Sequence, residues 1–314
     1  MTTKEIKNIS IVGTGTIGAS WATFFIIKGY QVKLFDAFPE ALPKALALIE
    51  KNLHFLQSKD VIKEEEVTAA QSRVQVCESL ADALLNSDYV QESVAENYDV
   101  KKKLFSEMDE LTSVDTILAS SSSGLLISEI QKATKLPERC LLAHPFNPPH
   151  LIPLVELVGG EKTSKDVIQR TKDWMEKLGK VPVVLNKEVP GHLANRLAAA
   201  VWREAIDLVV DDVASVEDVD KALSAGPGIR WAIMGQHLIF HLGGGPGGLE
   251  RFVDTLGHSV FHPLWQELKT WDTITPEMKE KLVSGVIEEQ GDRSWGDLAS
   301  WRDDKLIQLL KILY

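Results

Sequence analysis

The chain has 314 residues, a formal net charge of −11 at pH 7, 44% hydrophobic and 25% charged residues, and two cysteines. That length suits two domains with ample core, and the composition is that of an ordinary soluble globular protein. The acidity argues against a nucleic-acid footprint and mildly disfavours a strongly anionic substrate unless a local basic patch overrides it; Cys77 and Cys140 are too few for a disulfide framework or a metal-ligand cluster, and with no apolar signal region after Met1 and no membrane-length apolar run a cytoplasmic location is expected.

Ile9-Ser10-Ile11-Val12 predicts a strand. Gly13-Thr14-Gly15-Thr16-Ile17-Gly18 follows as a glycine-rich turn, a run with apolar residues at helical spacing extends to Gly29, and Val32 to Asp36 is a second strand ending in an acid. Each part has a physical job. Gly13 permits the tight turn out of the strand, Gly15 lets a pyrophosphate approach the backbone, and Gly18 lets the helix pack closely on the sheet. The helix start at Thr16 and Ile17 offers N–H groups and the positive end of a dipole to phosphates. Asp36 is placed to accept hydrogen bonds from the adenosine ribose. A carboxylate there repels a 2′-phosphate, and Ala37 and Phe38 supply no arginine to bind one, so NAD is expected rather than NADP. A tight turn with no ligand is the alternative, and the strand, helix and acid around the glycines argue against it.

Residues 38–73 read as helical, with Leu46, Ile49, Leu53 and Leu56 on one face. Lys51, His54, Lys59 and Lys63 in this stretch form either a solvated face or a substrate contact. Val74-Gln75-Val76 predicts a short strand, residues 81–85 a short helix, residues 89–94 a strand ending near Glu96, and residues 100–111 a helix. Thr116-Ile117-Leu118-Ala119 is a strand that runs into Ser120-Ser121-Ser122-Ser123-Gly124. Hydroxyls at such a strand end either cap the loop backbone or meet a ligand, which in open α/β sheets sits outside the carboxyl ends of the strands.

Cys140-Leu141-Leu142-Ala143 predicts a strand ending at His144. The next residues, through Asn147-Pro148-Pro149-His150, are too proline-rich for regular structure, and residues 152–158 form another apolar strand with one acid, Glu156. Residues 164–178 form an amphipathic helix, capped by Thr163 or Ser164 and stopped by Gly179, and residues 180–185 a last strand. Val189-Pro190-Gly191 breaks the pattern. The domain boundary is expected there, giving domains 1–190 and 191–314. The second is expected to be mostly helical, and it holds six of the eight tryptophans.

His144 and Glu156 are the pair that could do chemistry. A buried acid in an apolar strand is costly unless paired, and an imidazole at a strand end would supply the partner. The carboxylate would fix the tautomer and stabilise the imidazolium, leaving the other ring nitrogen free to take a hydroxyl proton. Beside a nicotinamide this arrangement oxidises a secondary alcohol. A satisfied structural pair is the other reading of the same two residues.

The glycine turn, the Ser120–Ser123 run, His144-Pro145-Phe146-Asn147-Pro148, Leu154-Val155-Glu156 and Pro190-Gly191-His192-Leu193-Ala194-Asn195-Arg196 resemble, in order and spacing, the 3-hydroxyacyl-CoA dehydrogenase family. The resemblance covers nearly the whole chain. It implies an α/β Rossmann-type dinucleotide-binding domain followed by a mostly helical C-terminal domain that forms a homodimer, with the site in the cleft between the domains. It also implies His144 as general base, Glu156 as its orienter, Ser123 and Asn195 as donors to the substrate oxygen, and Asn147 as support. Glu96 and Lys101 match positions near the cofactor and the cleft.

Two departures narrow the substrate. Ser121-Ser122-Ser123-Gly124 stands where the fatty-acyl enzymes usually carry Asn-Thr-Ser-Ser, and Pro149 is a second proline they usually lack. The Ala225–Gly235 run, containing Arg230-Trp231, together with His241-Leu242-Gly243-Gly244-Gly245 resembles the branch acting on free small hydroxy acids, which includes L-carnitine dehydrogenases and L-gulonate 3-dehydrogenase. Arg230 could hold a carboxylate or make a structural ion pair. Trp231 could face a quaternary ammonium or lie in a core or interface. The expectation is NAD-dependent oxidation of an L-carnitine-like β-hydroxy acid to the β-keto acid, with gulonate second and a 3-hydroxyacyl-CoA as runner-up. A non-catalytic NAD-bound crystallin-like protein or sensor is the alternative, and the intact His144–Glu156 pair argues against it. No metal, nucleic acid or membrane is expected as a partner.

Overall fold

Alternation along the strands decides how the first unit is layered. In the computed structural model, which describes residues 5–314, the chain forms two compact units, one ending at Asn195 and the other running Arg196–Tyr314. The first contains β1 (Asn8–Val12), α1 (Thr16–Ile27), β2 (Gln31–Phe35), α2 (Ala41–Ser58), α3 (Glu64–Gln71), β3 (Val74–Val76), α4 (Leu80–Leu84), β4 (Tyr89–Glu92), α5 (Tyr98–Leu111), β5 (Ile117–Ser120), α6 (Ile127–Gln131), β6 (Cys140–Pro145), β7 (Leu154–Gly159), α7 (Lys165–Lys177) and β8 (Val181–Leu185).

The eight strands form one sheet in the order β3-β2-β1-β4-β5-β6-β7-β8. All neighbours are parallel except β6 and β7. Ile9, Ile11, Tyr89, Ile117, Ala119, Leu141, Ala143, Val155 and Leu157 face one apolar layer, while Val12, Val90, Leu118, Leu142 and Val158 face the other. Successive strand residues point to opposite faces, so this period of two buries both sides of the sheet. The first layer is built on α1. Trp21 stacks on Phe25 with centroids 5.3 Å apart, and Phe25 stacks on Trp174 of α7 at 5.4 Å. Each such ring removed from water contributes about 2–3 kcal/mol.

Local signals place most element ends. Ser164 caps α7 by accepting from the Val167 N–H, and Gly179 follows at φ +85°. The helical stretch expected over 38–73 is two helices, parted at Asp60, whose φ is +55°. On α2, Ile49, Leu53 and Leu56 are buried as expected, but at the start of that face Ala45 is buried in place of Leu46, which is exposed. Five-residue α6 is too short for periodicity to reveal.

The order of the sheet reverses between β1 and β4, where the glycine turn and Ser93 leave the strand ends. Such a switch point opens a crevice outside the carboxyl ends of the strands. The second unit is helical, with α8 (Ala194–Val210, which starts in the first unit), α9 (Val216–Ala225), α10 (Pro227–Trp231), α11 (Gln236–Gly243), α12 (Gly248–Phe252), α13 (His262–Glu267), α14 (Pro276–Gln290) and α15 (Trp295–Leu313), and a π-helical stretch over Val253–Phe261. Among the described residues no helix is long and apolar enough to cross a membrane.

Candidate active site

The glycine turn is held by contacts that exclude side chains. Gly13 has φ +89°, and a Cβ on it would lie 2.7 Å from the Ser93 carbonyl carbon. A Cβ on Gly18 would lie 2.0 Å from the Gly13 oxygen, so α1 packs against the turn as only glycine allows. Gly15 is different: no atom lies within 4 Å of where its Cβ would be. Its backbone faces open space. The start of α1 has no side-chain cap and no acid in its first turn, so the N–H groups at Thr16 and Ile17 are left to an anion. Asp36, just past β2, accepts from the Thr14 N–H (2.7 Å) and the Thr14 hydroxyl (3.0 Å) on Oδ2, and from the Phe38 N–H (3.0 Å) on Oδ1. It therefore fastens the glycine turn as well, and Oδ1 retains a lone pair for a ribose hydroxyl. These residues fit a dinucleotide.

The antiparallel pairing of β6 and β7 sets His144 directly opposite Glu156, and both side chains are almost fully buried. Nδ1 of His144 lies 2.8 Å from Oε2 of Glu156. Oε1 of Glu156 accepts from the N–H groups of Leu193 (2.8 Å) and Ala194 (2.9 Å). Burial pushes the Glu156 carboxyl up, but the hydrogen bond from His144 and the two N–H groups outweigh it, and the net direction is down. An ionised carboxylate only accepts, so Nδ1 carries the proton and Nε2 presents its lone pair. That nitrogen lies 3.1 Å from the Ser123 hydroxyl, a contact the sequence alone did not give.

Ser123 sits in the loop after β5, which closes on Glu96. Oε1 of Glu96 accepts from the Ser122 hydroxyl (2.6 Å) and the N–H groups of Ser123 and Gly124 (both 2.9 Å). Burial raises the Glu96 carboxyl, yet these bonds and the Lys101 charge hold it below the usual range. Lys101 is buried. Its Nζ donates to Glu92 (2.6 Å) and the Val94 carbonyl (3.2 Å) and lies 3.6 Å from Glu96. Glu92 in turn accepts from the Ser120 hydroxyl at 2.5 Å. Glu96 and Lys101 thus carry the serine loop in this structure.

Asn195 Nδ2 is 3.5 Å from the Ser123 carbonyl. Asn147 is exposed on the connection between β6 and β7, beside a cis peptide bond to Pro148. Arg230 and Trp231 are exposed on α10 of the second unit, where the Trp231 Nε1–H donates to Gln236 at 2.5 Å. The sequence had given no role to Glu92 or to His192, whose buried ring tilts against His144 with centroids 4.9 Å apart.

The model of the 3-hydroxyacyl-CoA dehydrogenase NAD binding domain matches residues 8–189, and that of the family's C-terminal domain matches residues 191–284. L-carnitine dehydrogenase of Nocardiopsis dassonvillei is 35% identical over 312 residues, covering 99% of this chain and 93% of the relative. The Oceanobacillus iheyensis L-carnitine dehydrogenase is 36% identical over 308 residues, with 98% of each chain covered. A solved 5-formyl-3-hydroxy-2-methylpyridine 4-carboxylic acid 5-dehydrogenase, an NAD+-dependent dismutase, superposes with a TM-score of 0.80 at 30% identity, covering 98% of this chain and 99% of that one. The chain belongs to the 3-hydroxyacyl-CoA dehydrogenase family and is an NAD-dependent oxidoreductase acting on a hydroxy acid.

Proposed function

We propose that the protein oxidises a small free 3-hydroxy acid to the 3-keto acid, with L-carnitine the first candidate and His144 the general base. The observation that carries this reading is the continuous relay from Ser123 Oγ through the His144 ring to Glu156. NAD, held by Gly13, Gly15, Thr16, Ile17, Gly18 and Asp36, supplies the hydride acceptor. The protein handles the proton. His144 takes it from the substrate hydroxyl at Nε2, and Glu156 holds the imidazolium through Nδ1. Ser123 Oγ and Asn195 Nδ2 orient the reacting oxygen.

Relatives named for L-carnitine over nearly the full chain support a free acid, as does a neighbour named for a pyridine carboxylic acid. The net charge of −11 also suits a substrate carrying a quaternary ammonium better than a polyanionic CoA ester. NADH formation, followed by absorbance with L-carnitine, L-gulonate and L-3-hydroxybutyryl-CoA in parallel, tests the reading. Turnover of the CoA ester alone would overturn it and make Lys51, Lys59 and Lys63 the candidate CoA contacts.

A homodimer through the helical unit belongs to the same proposal. Trp202, Trp265, Trp295 and Trp301 are exposed there, more apolar surface than a lone unit usually leaves in water. Cys77 and Cys140 are buried free thiols, which suits the reducing cytoplasm.

A further inference from the structure

His192 combines three costs. Its backbone has φ +53°, its side chain is 1% exposed, and its Nδ1 has no hydrogen-bond partner. A left-handed backbone is unfavourable for any residue with a Cβ, and a buried unpaired nitrogen is a poor way to fill space that an apolar side chain would fill. What the imidazole gains is one bond. Nε2 lies 3.0 Å from the Ser122 carbonyl oxygen. A carbonyl can only accept, so Nε2 carries the proton.

That carbonyl belongs to the same peptide as the Ser123 N–H, which donates to Glu96 at 2.9 Å. The plane before Ser123 is therefore pinned at both ends. The plane after it is held by the Gly124 N–H on Glu96 (2.9 Å) and by Asn195 near the Ser123 carbonyl (3.5 Å). The turn that carries His192 also donates the Leu193 and Ala194 N–H groups to Glu156. One short segment thus grips both ends of the relay.

We propose that His192 is a positioning residue for the reaction: its Nε2–H holds the Ser122 carbonyl, and through the Ser122–Ser123 peptide keeps the Ser123 hydroxyl on His144. The inference rests on the relay being the catalytic device.

Two substitutions separate this role from a backbone or packing role. His192→Gln places an amide N–H where Nε2 was, on a backbone that suits glutamine poorly. His192→Asn suits a left-handed backbone better, but its amide reaches only to the Nδ1 position. Positioning expects kcat within about threefold of wild type for Gln and about tenfold or more lower for Asn, the rate equivalent of one lost hydrogen bond, with KM for NAD unchanged in both. Asn equal to or better than Gln would overturn it, because relief of the backbone would then be what mattered. His144→Gln in parallel tells the two readings apart. Full turnover in that variant removes the relay and this inference with it, whereas a dead His144→Gln beside equal His192 variants removes this inference alone. Should both His192 variants fail to fold, the unsubstituted protein still answers through the nitrogen spectrum of 15N-labelled histidine. The inference requires a proton on Nε2 of His192; a ring protonated on Nδ1 alone overturns it.

Discussion

In the proposed reaction His144 and Glu156 divide one task, and their variants separate the parts. His144→Gln removes the base and is expected to lower kcat by about 10²–10⁴-fold, with NADH binding, read by fluorescence, unchanged. Glu156→Gln keeps the shape but leaves Nδ1 of His144 without a carboxylate, so the same test expects a large loss of kcat. It also changes the response to acid. The Glu156 carboxyl is held below its ordinary value of 4.5 by His144 and two N–H groups against the opposing effect of burial. Its contribution to stability is present above that value and is lost as the pH falls through the lowered folded-state pKa. The difference in Tm between wild type and Glu156→Gln is therefore expected to narrow as the pH is lowered through the carboxylate range, as calorimetry can read.

At the scale of elements, the reversal between β6 and β7 makes the site, and the connection between them is bolted down. Lys180, just before β8, donates from Nζ to the carbonyls of Pro149 and Ile152 and sits over the rings of Phe24 (4.2 Å) and Trp21 (5.1 Å) on α1. Ser20 of α1 adds bonds to His150, accepting from its N–H at 3.1 Å and meeting its Nδ1 at 2.7 Å. The helix that begins at the glycine turn is thereby tied to the strand pair that carries the relay. Burial, with the Lys28 charge nearby, pushes the Lys180 ammonium down to about 7 from 10.5. Between those values the unfolded chain binds the proton that the folded one has released, so this lysine makes stability rise with pH across that window. Each unit of displacement is worth about 1.4 kcal/mol. Urea unfolding at pH about 7 and about 9.5 is expected to show wild type gaining on Lys180→Met by several kcal/mol; a constant difference would contradict this.

At the scale of the whole chain, the two units differ in how they bury apolar surface. The first encloses two apolar layers around its sheet. The second has a small cluster around Val209, Val216 and Val219, while Trp295 and Ile312 are each 80% exposed. A second copy of the chain is the covering that the proposed function calls for. Sedimentation at micromolar concentration is expected to give a dimer, and Trp295→Glu together with Trp301→Glu to shift it toward monomer with a lower, concentration-dependent Tm. A monomeric wild type would remove the dimer.

The sequence by itself determined the features made from neighbouring residues. The glycine turn, Asp36, an α7 cap at Thr163 or Ser164 and the stop at Gly179 each depend on a few consecutive positions, so their chemistry is visible in the string, and the fold then uses Ser164. The sequence already paired His144 with Glu156, as an imidazole at a strand end and an acid in an apolar strand that needs a partner. Their meeting was decided only by the antiparallel direction of β7, because a parallel strand would not have set the two side chains opposite each other in this register. Periodicity carries no strand direction. The supports of the site lie further still from local reading. Glu96 reaches Ser122 across 26 positions, Lys180 reaches Pro149 across 31, and His192 reaches Ser122 across 70. Such bonds depend on where the sheet order brings the loops, and tertiary packing alone decides that.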